Sequence, residues 1–278
     1  MWLLTLYHTW FDFPIFFCHP SIVSQHFSEL FLFWSYLLYF LILYIGDDMV
    51  INVKNKWIPI AVSVTVIGVM VGYCLKTTQT FSKSKQYTVV LDAGHGEPDG
   101  GAVGANGTIE QSINLKITQK LQEILENRGI KVIMTRADNN SICDKSAKTL
   151  HDMKVSDMHK RLDIINNSDA DLFLSIHLNS FSKPKTSGLH IFYSRNHPEI
   201  QPLAELIQEE IAGLTGAKTH TVKAASDTLY LMKNPTPPSI LIECGFISNP
   251  DEEKLLNDDA YQSKIAFSIA NAVCKAKK

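Results

Sequence analysis

Two histidines and two glutamates, His95, Glu110, His177 and Glu243, carry the strongest chemical signal in this 278-residue chain. His95 follows one apolar β-type run, His177 closes another, and Glu243 closes a third. In open α/β sheets the loops beyond the carboxyl ends of the strands converge, so residues there can meet however distant in sequence. Glu110 stands near the start of a helix-period segment, reached from the same edge through a Gly-rich stretch. Two imidazoles and one carboxylate form an established hydrolytic zinc set that leaves a position for water. A further carboxylate can then take and return a proton. On this reading His95, Glu110 and His177 hold the metal and Glu243 is the base. Each residue alone has a plainer reading. Glu110 suits a first helical turn, where the dipole favours acidic groups. Glu243 can close a strand-end ion pair, and the chain has ten histidines. Spacing by itself leaves both readings open.

The elements that must position these residues follow from periodicity. Strands are predicted at 87–91, 130–135, 172–177, 189–193, 229–232 and 240–243. One helix carries Ile113, Ile117, Leu121, Ile124 and Leu125 on a face, with Thr108 and Gln111 as a capping box and Gly129 as its stop. Val155, Met158, Leu162 and Ile165 mark a second helix, and Ile200 to Leu214 a third. Helices fill most of 250–275. Alternation of this kind implies one α/β domain of three layers, a mostly parallel central sheet flanked by helices. The stretch from Gly94 to Gly100 lacks dinucleotide-motif spacing and puts Glu97 and Asp99 where phosphates would sit. The run 233–239, with three prolines, reads as a rigid loop before Glu243, either shaping a groove or simply connecting.

Charge divides the chain. It carries 26 basic and 28 acidic residues, a net −2 that offers no footprint for nucleic acid. The first 79 residues hold only three of the basic side chains, Lys54, Lys56 and Lys76. Trp57 to Leu75 is an uncharged run long enough to nearly span a bilayer. Lysines on its N-terminal side direct the domain beyond it outside the cytoplasm. The expected organisation is a hydrophobic leader over 1–48, which Met49 as the true start would exclude from the native protein. After it come a signal peptide or membrane anchor over 49–76, a linker over 77–86 and a catalytic domain over 87–278. Five scattered cysteines make neither a disulfide framework nor a thiolate metal cluster.

Four separated motifs then resemble one family, the type 3 zinc N-acetylmuramoyl-L-alanine amidases. They are Val-Val-Leu-Asp-Ala-Gly-His-Gly (89–96) running into Asp-Gly-Gly-Ala (99–102), Gly-Thr-Ile-Glu-Gln-Ser-Ile-Asn (107–114), Ala-Asp-Leu-Phe-Leu-Ser-Ile-His-Leu-Asn (170–179) and Leu-Ile-Glu-Cys-Gly-Phe-Ile-Ser-Asn-Pro (241–250). The resemblance covers essentially all of 87–275. It implies one zinc ion held by His95, Glu110 and His177, Glu243 as the catalytic glutamate, and hydrolysis of the amide between N-acetylmuramic acid and L-alanine in peptidoglycan. Asp92 would orient a ligand histidine or fix the loop, and Asn179 would face substrate or serve the fold. Ala93 and Glu97 depart from the usual Pro and Gly of the motif. A narrower resemblance is to the germination-specific amidases of spore-forming bacteria, which strip stem peptides from spore cortex so that muramic-δ-lactam can form. That would place the enzyme outside the cytoplasm, anchored or exported, in the space between forespore and mother-cell membranes. A vegetative cell-separation amidase and a zinc peptidase acting on stem peptides are the alternatives. A non-catalytic wall-binding protein is disfavoured by the intact constellation, and an activating protein partner is left open.

Overall fold

The computed structural model describes residues 85–233 and 235–277, with Gly68 alone ahead of them. The chain divides into two units, Met1–Thr80 and Phe81–Lys278, and the elements and sheet described below lie in the second. The expected leader, anchor and most of the linker lie outside the described residues. Among the described residues no helix is long and apolar enough to cross a membrane.

The elements run β1 (Thr88–Ala93), α1 (Glu110–Asn127), β2 (Lys131–Met134), α2 (Leu150–Asn167), β3 (Leu172–Asn179), β4 (His190–Tyr193), a 3₁₀ turn (Pro198–Ile200), α3 (Gln201–Thr215), β5 (Lys223–Ala224), α4 (Tyr230–Lys233), β6 (Ser239–Phe246), α5 (Pro250–Leu256) and α6 (Asp259–Ala276). They build one six-stranded sheet in the order β2-β1-β3-β6-β4-β5. Every pairing is parallel except β4 against β6. The expected mostly parallel three-layer α/β domain is therefore present.

Strand pleat sorts the side chains, because successive residues point to opposite faces. Val89, Leu91, Leu172, Leu174, Ile176, Ile240 and Ile242 share one core with buried residues of α1, α3 and α6. The intervening residues Val90, Phe173 and Leu241 join Ile165 of α2 and Leu231 and Met232 of α4 on the other face. By the same alternation Asp92, Ser175, His177 and Glu243 belong to this second, more thinly covered face. Toward the carboxyl ends of the strands it turns from apolar to polar. His177 pairs directly with Glu243 across β3 and β6, and the register then shifts before Asn179 meets Phe246. A local bulge of this kind re-aims side chains at a strand end.

Two local expectations are corrected, and the open reading of 233–239 falls to one of its alternatives. Residues 229–232, expected as a strand, form a bend at Leu229 and most of the short helix α4, because Leu231 and Met232 fold back onto the second face as its cover. No capping box forms at α1. Its N-cap is Ile109, whose side chain can accept no hydrogen bond, and Thr108 Oγ1 accepts from Asn257 Nδ2 at 2.6 Å instead. The 233–239 run, Asn234 aside, lies at the start of β6, away from Glu243. There Pro235 and Thr236 meet Asn196 and Asn166, so it connects and does not wall the cleft. Strand β5, two residues long, gave no periodic signal.

The end of β1 is fixed by two arginines. Arg161 of α2, 1 % exposed, donates from Nη1 to Asp92 Oδ1 at 2.7 Å and to the Ala93 carbonyl at 2.8 Å. Its Nη2 donates to the His95 carbonyl at 2.5 Å and its Nε to Asp157 Oδ2 at 2.8 Å. Arg136, just past β2, donates to the carbonyls of Ala93, Gly94 and Gln111 at 2.7, 3.0 and 2.8 Å. Asp92 also accepts from Thr135 and Ser175. Although burial disfavours its charge, Arg161, His177 and these hydroxyls hold its carboxyl below the usual range. Breaking a buried ion pair by removing one partner leaves an uncompensated charge. Replacing Arg161 by Met should lower unfolding stability by about 3–5 kcal/mol, read from denaturant titration.

Candidate metal centre and catalytic cleft

His95 sits just past β1 with φ of 64°, in the left-handed region that a side chain seldom adopts. The Arg161 bond to its carbonyl holds it there. This conformation points its ring back over the sheet edge toward Glu110 and His177. Glu110, the first residue of α1, is buried at 3 % exposure, and the dipole reading alone does not account for its contacts. Its Oε2 accepts from the Ala102 N–H at 2.9 Å. Its Oε1 accepts from Asn114 Nδ2 at 3.2 Å and from the Leu178 N–H at 3.1 Å. The same oxygen lies 3.1 Å from His177 Nδ1 and 3.3 Å from His95 Nε2.

One ligand-capable atom from each of His95, Glu110 and His177 falls within 4.8 Å of the others, a group able to hold a metal ion. Two glycines make the approach possible. A Cβ on Gly94 would come within 2.2 Å of the His177 ring, and one on Gly101 within 2.6 Å of Glu110 Oε2 and 2.7 Å of His95 Cδ2. The fourth residue, Glu243, lines the same cleft beside them, paired in register with His177. Its Oε2 is buried without a hydrogen-bond partner. An unpaired buried carboxylate oxygen is costly unless a proton, an ion or substrate completes it. The donor set and this orphaned oxygen together fit a hydrolytic metal centre.

The two glutamates are driven in opposite directions. Burial opposes charge on Glu110, yet the hydrogen bonds and charges of His177 and His95 hold its carboxyl far below the ordinary range. Burial pushes Glu243 up to about 7, with His177 opposing and Glu110 adding to the rise. Burial by itself would lower His95, but the hydrogen bonds to Asp99 and Glu110 raise it to about 9. Around them lies a cleft of about 320 Å³, walled by Met158 of α2, by Leu229, Tyr230 and Met232, and floored by Leu241.

Asp99, which the sequence offers only as an argument against a phosphate site, has a different role. Its Oδ2 meets His95 Nδ1 at 3.1 Å and Lys154 Nζ at 3.1 Å, which leaves His95 Nε2 facing inward. The dyad His95–Asp99 at four residues' spacing was the available signal. Asp92 touches neither histidine ring at hydrogen-bond distance; it serves the loop, through Arg161. Asn179 Nδ2 lies 3.4 Å from His190 Nδ1, beside the cleft and not among its lining residues. Arg161 and Arg136 give no sign of their role in the sequence, because arginines near strand ends and on helices ordinarily face solvent. Cys143, Cys244 and Cys274 are free thiols.

Against this geometry the comparisons with known proteins agree. The family model described as N-acetylmuramoyl-L-alanine amidase matches residues 89–275. The germination-specific N-acetylmuramoyl-L-alanine amidase of Bacillus subtilis is 37% identical over 187 residues, 67% of this chain and 78% of the relative. Escherichia coli AmiA, also an N-acetylmuramoyl-L-alanine amidase, is 29% identical over 72% of this chain and 81% of its own. Among solved structures, the CwlD amidase of Clostridioides difficile, in complex with the GerS lipoprotein, superposes with a TM-score of 0.66 at 41% identity, covering 68% of this chain and 98% of that one. The chain belongs to the N-acetylmuramoyl-L-alanine amidase family.

Two measurements test the site. A ligand imidazole must be neutral, so protons compete with the metal below the pKa of His95, about 9. Metal affinity should therefore rise with pH, by about tenfold per unit in the neutral range, and level off above that pKa, as read by chelator competition. Asp99→Asn should weaken metal binding by about 10–100-fold while leaving the fold intact, measured by the same competition together with circular dichroism.

Proposed function

We propose that this chain hydrolyses the amide between the lactyl group of N-acetylmuramic acid and L-alanine in peptidoglycan, with one zinc ion held by His95, Glu110 and His177 and with Glu243 moving the proton. The observation that carries the reading is Glu243. It is a carboxyl whose Oε2 has no partner, raised to about 7 by burial, facing a His-Glu-His group. Zinc, when bound, supplies Lewis acidity that makes a water easier to deprotonate and the scissile carbonyl easier to attack.

The chain's own groups do the rest. Glu243 Oε2 takes the proton of the attacking water and returns it to the departing L-alanine nitrogen, a transfer suited to a group titrating near neutrality. Glu110, held ionised, balances the charge gathered between the histidines. Asp99 keeps His95 Nδ1 occupied, which fixes the ring's orientation and its inward-facing nitrogen. The apolar walls from Met158, Leu229, Met232 and Leu241 exclude bulk water and strengthen each of these interactions.

Similarity to a germination-specific amidase and to CwlD supports spore cortex as the wall acted on. Cortex peptidoglycan is the inferred substrate, and removal of its stem peptides the inferred task. Action outside the cytoplasm follows from a cell-wall substrate. Residues 49–76 are inferred to provide the export signal or anchor, 77–86 the tether and 87–278 the catalytic domain. The CwlD structure contains a lipoprotein, which supports a protein partner for this chain as well.

The test is digestion of purified cortex and vegetative peptidoglycan by the zinc-loaded protein, with mass spectrometry of the released fragments. Free peptides beginning with L-alanine are expected, more abundant from cortex. Fragments cut within the stem would make the enzyme a peptidase, and equal release from both walls would remove the cortex assignment. Glu243→Ala should retain zinc and lose about 10²–10⁴ in turnover. A variant found empty of zinc would contradict the division of labour between ligands and base.

A further inference from the structure

We propose that a pocket beside the cleft, formed by His190, His220 and Lys223, holds a carboxylate of the stem peptide on the leaving-group side of the scissile amide. The inference rests on the amidase reading and names the residues that select its substrate.

The sheet places the pocket. His190 of β4 lies opposite Glu243 of β6, and Phe192 opposite Leu241. On the next strand Lys223 lies opposite Phe192. Directly opposed residues share a face. Glu243 and His190 therefore stand in one row and Leu241, Phe192 and Lys223 in the next, both on the face that carries His177. Lys223 is two strand spacings across and two residues along from Glu243, about 12 Å. The pocket encloses about 260 Å³ and includes no carboxylate among its lining residues.

Its hydrogen-bonding capacity is set by the neighbours. The Ser180 N–H donates to Asn179 Oδ1 at 2.8 Å, which leaves Asn179 Nδ2 to face His190 Nδ1 at 3.4 Å. An acceptor at Nδ1 puts the ring proton on Nε2, where it can donate. The ring is held between His220, at 4.0 Å between centroids, and Phe246, at 5.3 Å. Burial and the nearby His220 and Lys223 favour its neutral form. Lys223 is exposed and supplies the fixed positive charge.

Substrate chemistry chooses the occupant. On the far side of the cleft the cations are already paired, Lys154 with Asp99 and Arg161 with Asp157, so neither is free for a second anion. The muramyl side of the substrate is neutral, its lactyl carboxyl being consumed in the amide, whereas the stem peptide is acidic. The residue after L-alanine is a glutamate linked through its side chain. Its free α-carboxylate lies within two residue lengths, roughly 7 Å, of the scissile nitrogen. A diacidic third residue would bring a second carboxylate slightly farther out. Both are one chemistry, and lysine's four-carbon stem spans the remaining distance to either.

The experiment uses the zinc-loaded full chain and glycan oligomers bearing defined stem peptides. One pair of substrates has the second-residue α-carboxylate free or amidated; a second pair has diaminopimelate or lysine third. Wild-type kcat/KM should be about tenfold higher for the acidic member of at least one pair, through KM, as expected for one charge-assisted contact. The pair that shows the difference identifies the carboxylate. In Lys223→Met the ratio should fall to about one, Lys223→Arg should restore it, and high salt should shrink it in wild type. Equal rates on both members of both pairs, or a preference that survives Lys223→Met, would overturn the subsite. A fall in kcat without a change in the ratio would do so too, by assigning Lys223 a structural role. Cleavage of none of the substrates by the wild type would count against the amidase reading and this inference together.

Discussion

The structure depends on how the chain leaves β1. Within four residues it passes from a buried strand to a histidine in the left-handed conformation, and four carbonyl bonds from Arg161 and Arg136 hold that passage. Arginine suits the task because its planar fork donates several bonds in fixed directions without any possibility of deprotonation at physiological pH. The charge this brings inside is matched by Asp92 and Asp157, themselves tied to Thr135, Ser175 and the Ile142 N–H. Arg161, His177 and the two hydroxyls hold the Asp92 carboxyl below the usual range, so the pair that supports His95 keeps its charge at neutral pH. A hydrophobic plug of equal volume could fill the space but could not hold three successive carbonyls.

A second constraint is the contrast between two carboxylates on one site. Glu110 sits among N–H donors and imidazoles, all favouring its anion, while Glu243 sits against apolar walls with one oxygen unpaired. Environments that push two like groups apart assign their roles, one permanently charged and one able to gain and lose a proton. The separation arises from topology. Glu110 begins a helix whose first turn is capped by the loop it ligates, whereas Glu243 lies inside a strand where its backbone is already paired. A strand residue has no free N–H to offer its own carboxylate, so desolvation acts on Glu243 unopposed except by charge.

Much of this was legible in the sequence. The apolar runs ending in His177 and Glu243 carried both their strand identity and, through the pleat, the shared face of those two residues. The Gly-rich stretch announced a loop that approaches other groups closely, which Gly94 and Gly101 bear out. What periodicity did not contain was long-range pairing of charges. Arg161 reads as one more helical cation four residues from Asp157, and nothing local says that Asp92, 69 positions away, will draw it inside. Residues 229–232 misled for a related reason. Four apolar residues in a row fit a buried strand or a short covering helix equally well, and the vacancy on the second face decided between them. Asp99 offered only its four-residue spacing from His95 as a sign of partnership, and that contact is made with His95 at a positive φ.

The direction of β4 is the last element that gives the site its shape. A strand entering beside β6 in parallel would need a long crossover and would arrive at the sheet's opposite end. The ten-residue connection from Asn179 to His190 instead turns back at once, so β4 starts where β3 stops. His190 thereby comes level with Glu243 at the carboxyl end, and β5 pairs on its far side. On the β1 side the same end is closed by the loop from Gly94 to Ile109 and by α2. The site is consequently lopsided, with the His95-Glu110-His177 group on one side and, across β4 and β5, a pocket with no carboxylate in its lining. A polymer whose neutral glycan and acidic peptide diverge from one amide meets a surface with the same asymmetry. That match is a consequence of one antiparallel strand in an otherwise parallel sheet.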